Sequence, residues 1–294
     1  MNFARLMIAL AGLATLLTLS PATAIAAGKF VVIRKVTLEG PIVQARLVSG
    51  RLACATQGKS GRIAFFNTME KRVDYRQSES GSMRRFIPTL VAGLGGRALV
   101  YDTARDRIEY FQSDGNSLES LGLPDSLSFD ADPPVGLMPL GASFKDGLAL
   151  LTERGRLLRF TGGKLSSTTD LRAKAGRPEL FFARLAPLPE GALFALSPNT
   201  GCAFTFAPDG TLTNTVDLGA LTGGLRPVSD AAPLADCGML FTVGKRLYRL
   251  DGGKPTAIPV AAQFQSNAPL FIDTRGDRVL VYNHDGEMLV GEFK

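Results

Sequence analysis

Only one histidine, His284, occurs in the 294 residues, and this narrows the available chemistry at once. A Ser-His-Asp triad would have a single candidate for its base, and no G-x-S-x-G elbow accompanies it. A multi-histidine zinc or copper centre cannot be built within one chain. His284 lies in Asn283-His284-Asp285-Gly286, a run of turn formers, and is expected at a hairpin tip rather than as a catalytic base. Gly93-Leu94-Gly95-Gly96 has the composition of a phosphate loop. It is expected to join two antiparallel strands with no helix following, which removes the dinucleotide reading. What remains is a set of acids, amides and arginines whose meaning depends on where the fold puts them.

The elements that must position them are hairpins. Residues 146–160, DGLALLTERGRLLRF, read as an apolar run, a polar tip with Gly155, then Arg156 and a second apolar run. The phrase recurs at 50–66 and 96–111, and more loosely at 191–206, 238–250 and 277–291. Leu52, Ala98, Leu148, Ala192, Met239 and Val279 are its equivalent positions, in steps of 40 to 50 residues. Six mostly-strand units of that length predict an all-β fold, a six-bladed β-propeller of four-stranded antiparallel blades. The innermost strands are expected at 42–47, 89–92, 135–140, 181–186, 230–234 and 270–273. The sixth unit lacks an outer strand, and residues 30–37 form a strand without a neighbour. Pairing the two closes the ring and removes an exposed edge. Residues 28–294 then form one propeller domain.

In this topology the loops leading into the inner strands gather with the tips of the central hairpins on one face, the inlet face. The leading loops supply Glu39, Arg84, Arg85, Asp130, Asp132, Arg177, Glu179, Asp230, Gln265 and Asn267; the tips add Asp102, Glu153, Asn199, Asn283 and Asp285. Carboxylates and amides converging on one axis suit a hard divalent cation such as calcium, which takes oxygen ligands. The competing reading is a polar, solvated rim. Leu38-Glu39-Gly40-Pro41, followed by an inner strand, Leu52 and a G-R-[IL] hairpin, resembles the first blade of the senescence-marker/gluconolactonase family. The whole chain is similar to six-bladed propellers of the gluconolactonase, NHL and TolB types. The narrower resemblance implies a lactone or phosphoester hydrolase with one central divalent metal, held here by Glu39, Asp230 and, in place of the family's asparagine, Glu179. The wider one implies fold and not activity. The reading taken forward is a binding scaffold that engages a protein or small ligand on the inlet face through Arg84, Arg85, Asp130, Asp132, Arg177, Gln265 and Asn267. A calcium-type hydrolase is the alternative.

The first 27 residues read as a cleaved signal peptide: Arg5, an apolar run over 6–19, Pro21, and small-x-small sites near Ala24 to Ala27. No cysteine follows the cleavage region, so the expected form is exported, periplasmic or secreted, without a lipid anchor or a later membrane span. Removing Arg5 leaves 32 basic against 27 acidic residues, a mild +5. Arg62, Arg107, Arg156 and Arg246 recur where the third strand of a unit begins, so they are read as one structural slot and not as a nucleic-acid surface. Cys54, Cys202 and Cys237 are expected as unbridged residues, and the chain as a monomer.

Overall fold

The computed structural model describes residues 29–69, 73–76, 86–112, 116–224, 227–236 and 238–294. They form six four-stranded antiparallel sheets, five of them running from an inner to an outer strand in sequence order. The innermost strands are Gln44–Leu47, Pro88–Leu94, Pro134–Pro139, Arg184–Pro187, Val228–Pro233 and Leu270–Arg275. Each inner strand contacts the next, and Gln44–Leu47 returns to Leu270–Arg275, so the ring is closed. This is the six-bladed propeller that the hairpin period predicts. No helix among the described residues is long and apolar enough to cross a membrane.

Closure occurs as expected. Phe30–Thr37 pairs antiparallel with Glu287–Phe293, from Phe30 opposite Phe293 to Thr37 opposite Glu287. Lys29 and Lys294 exchange backbone hydrogen bonds, and the Phe30 and Phe293 rings lie 5.4 Å apart. The sixth blade therefore takes its outer strand from the opposite end of the chain, and no blade is left with a missing strand.

The apolar runs are buried between blades. Between blades three and four, Leu151 and Leu157 meet Phe182, Phe204 and Phe206. Burial of each such side chain contributes ~1.5–3 kcal/mol. Several boundaries differ from the expected ones. The fourth inner strand begins at Arg184, three residues late, because Phe182 turns into the inter-blade core against Phe204 and Phe206 while Phe181 stays exposed. Two short helices, Leu171–Ala175 and Leu218–Leu221, follow the outer strands of blades three and four. Asp170 and Asp217 cap them by accepting from the backbone N–H three residues on. Cys54 and Cys202 are buried free thiols, Cys202 donating to Thr200 O; Cys237 lies outside the described residues.

Candidate functional site

The ring is held at its axis by side chains of the inner strands. Gln44 Oε1 accepts from Val91 N of the next blade, and Thr56 Oγ1, twelve residues later, donates to Thr89 O. Blades five and six repeat the clasp. There Asp230 Oδ2 accepts from Ile272 N, and Thr242 Oγ1 donates to Leu270 O. Asp230 thus occupies the register position of Gln44, each paired with the threonine near the hairpin tip. Arg184 sits at the same position in blade four, opposite Leu196.

Arg184 is 2% exposed and reaches across to blades five and six. Its Nη1 donates to Asp230 Oδ2 at 2.9 Å and to Ile272 O at 2.5 Å, and its Nη2 donates to Asp273 Oδ1 at 2.8 Å. Nε is buried without a partner among the described residues. Asp273 also accepts from Leu47 N, tying blade six to blade one. Arg46 approaches the same Asp273 oxygen from blade one at 3.7 Å, an ion-pair distance but not a hydrogen bond. Burial alone would lower the Arg46 pKa, but Tyr282, Asp273 and Asp230 more than offset it and raise it above the ordinary arginine value. Burial pushes the Tyr282 hydroxyl up as well, so it stays neutral.

Above this cluster lies a cavity of about 1000 Å³. Its walls come from the C-terminal halves of all six inner strands and the loops that leave them, so it opens on the outlet face, opposite the inlet face. Leu137, Met138, Leu185 and Leu188 supply apolar wall, while Arg46, Arg184 and Asp273 lie at its base and Arg275 at its rim. A volume of this size with a few convergent polar groups is the ordinary form of a ligand site.

The inlet-face candidates are held in local contacts. Glu39 is exposed; its backbone N–H binds Tyr75, and its carbonyl accepts from Gln57 and Arg62. Glu179 pairs with Arg177 at 2.8 Å, and its own backbone N–H and that guanidinium hold its carboxyl below the usual range. Asp230 is buried in the Arg184 clasp. These three carboxylates are therefore not brought together as cation ligands, and among the described residues no group of three His, Cys, Asp or Glu side chains could hold a metal. Asp132 accepts from Arg154 N and from Arg156 Nε, whose Nη2 also donates to Ser128 O. Arg62 and Arg156 each hold the leading loop of their own blade, while Arg107 pairs with Glu109. Gln265 donates its backbone N–H to Glu287, and Asn267 accepts from Lys245. Asp130 is exposed, and Arg84 and Arg85 lie outside the described residues. His284 is on the inlet side, with Nδ1 2.7 Å from Ile42 O and its ring 4.3 Å from Phe271, away from the cavity.

Apart from Asp230, the residues that shape the cavity's base were not among the sequence candidates, although a signal for them exists. Ala-Arg-Leu occurs at 45–47 and again at 183–185, with its arginine in the inner strands of blades one and four, which face each other across a six-fold ring. A charge inside an otherwise apolar inner strand marks an axial residue.

No family model matches the chain, and no curated protein matches it by sequence. Solved structures similar to it are propellers. A streptogramin B lyase aligns with a TM-score of 0.62 at 10% identity over 90% of this chain and 98% of its own. A catalytically inactive virginiamycin B lyase from Staphylococcus aureus with quinupristin gives 0.60 and 12%, over 90% and 100%. YCF48 bound to D1 peptide gives 0.59 and 11%, over 92% and 97%. At such identities the likeness shows the fold.

Proposed function

We propose that the chain is an exported, non-enzymatic propeller scaffold that receives a ligand in the axial cavity through its outlet face. The observation that carries this reading is the cavity itself, walled by all six blades and based on a charge cluster that is already internally bonded. Clasped in this way, Arg184 and Asp273 hold the base rigid before any ligand arrives, which lowers the cost of binding. The similar structures bound to quinupristin and to a peptide are consistent with a fold that carries ligands. A calcium-type hydrolase using Glu39, Glu179 and Asp230 would need Glu179 and Asp230 released from Arg177 and Arg184, and no observation favours that rearrangement.

The test uses a neutral apolar fluorophore, N-phenyl-1-naphthylamine, and two bulky substitutions. Ala235 is exposed at the cavity mouth and Gln265 is exposed on the inlet face. Saturable binding that Ala235→Trp weakens and Gln265→Trp leaves unchanged supports the outlet cavity. The reverse pattern would return the site to the inlet face.

A further inference from the structure

We infer that the cavity selects a small amphiphilic monocarboxylate, an acid on an apolar chain; this rests on the binding reading above and names its ligand class. Around the base stand three guanidinium groups, Arg46, Arg184 and Arg275, against two carboxylates, Asp230 and Asp273. At the blade-five part of the rim Asp236 and Asp251 share a single guanidinium, Arg249, which leaves one negative charge there, on carboxylates that are 47% and 39% exposed to solvent. The base itself, with Arg275 above it, keeps one positive charge over. Arg275 is exposed and has no carboxylate partner among the described residues, donating only to Leu47 O at 3.4 Å. Arg46, its side chain 12% exposed, makes no hydrogen bond to a carboxylate. An anion held away from water is costly unless it is paired, and these arginines offer the pairing.

The form of the charge follows from the donors. Guanidinium forks match a planar two-oxygen group, so a carboxylate fits them, whereas a doubly charged anion would exceed the one uncompensated positive charge. The form of the rest follows from the walls. From the axis the lining runs outward between blades four and five along Phe194, Val216, Met239 and Leu250, a track for an alkyl or similarly apolar chain.

Calorimetric titration with dodecanoate, dodecylammonium and dodecyl maltoside, each below its micellar concentration, compares one chain under three heads. Dodecanoate is expected to bind at least about tenfold more tightly than dodecylammonium, the scale of a charge-assisted hydrogen bond gained. Arg46→Met should weaken dodecanoate by about tenfold while sparing the neutral fluorophore. Arg275→Gln, at an exposed position that cannot unfold the axis, should act in the same direction if Arg46→Met does not fold. Equal affinity for the three heads would overturn the carboxylate inference and leave the cavity reading standing. Loss of the neutral fluorophore's binding in the unmodified protein would instead remove the cavity reading. Binding of an apolar peptide with a free C-terminal carboxylate, without binding of dodecanoate, would also overturn the small-amphiphile assignment.

Discussion

At the scale of the residue, the axis depends on Arg184. Asp230 and Asp273 are 6% and 8% exposed, and Arg184 is the cation that both hydrogen-bond. Removing one member of such a cluster leaves buried charge uncompensated, so Arg184→Met should cost ~3–5 kcal/mol, read from the urea midpoint. Adding Asp230→Asn and Asp273→Asn should recover much of that loss; a triple variant no better than the single one would show that the arginine acts through packing. Glu287 is a second such residue. Burial would raise its pKa, but the N–H groups of Gln265 and Ser266, the Asn283 amide and Lys35 hold it at about 2, below the ordinary 4.5. A folded pKa below the unfolded one stabilises above the unfolded value and loses its contribution as the pH falls through the folded one. Glu287→Gln should therefore lower the melting temperature at neutral pH, and the gap to the unmodified protein should close between about pH 4.5 and pH 2. A gap that stays constant across that window would place the effect in packing.

At the scale of the element, inner strands approach each other closely enough that glycine decides where they fit. A Cβ on Gly136 would lie 2.5 Å from Leu185 Cβ and 2.9 Å from Leu185 N, atoms fixed by the neighbouring backbone. Gly136→Ala should accordingly cost ~1–3 kcal/mol through overpacking. Gly122, in an outer strand with nothing near its Cβ position, is the control, and Gly122→Ala should be close to neutral. Equal urea midpoints for the two variants would show that the inner strands can separate without cost. The hairpins at this scale were legible because alternation and turn residues are local signals. The two capped helices were not. Asp170 and Asp217 each end a polar outer strand, where a cap is no different in composition from a turn. The start of the fourth inner strand was missed for a related reason: Phe181, Phe182 and Leu185 look equally apolar, and only contact with blade three's core chooses among them.

At the scale of the whole molecule, stability is tied to closure. Each blade buries both faces only when its neighbours are present, and the ring is completed by one strand from the far end of the chain. Deleting residues 29–37 should expose the edge of Glu287–Phe293 and, by removing Val36, uncover Leu38, Tyr282 and Met288, which pack with it. The expected outcome is loss of a single cooperative transition in calorimetry, with association of the open edges. A truncated chain that melts as sharply and as high as the full one would refute closure as the source of cooperativity.

Two kinds of information meet in this chain. Unit length, strand order, the missing outer strand of the sixth unit and the strand that fills it are all carried by local patterns repeated along the sequence, because a propeller blade is a local structure. The axial chemistry is different. Arg46, Arg184, Asp230 and Asp273 are separated by up to 227 positions yet bond one another, and although a charge inside an inner strand marks each as axial, nothing in the local pattern says which partner it takes. Which acids meet which arginines, and on which face a cavity is left, depends on how six sheets tilt and close around one axis. That is a property of packing, and only the assembled ring decides it.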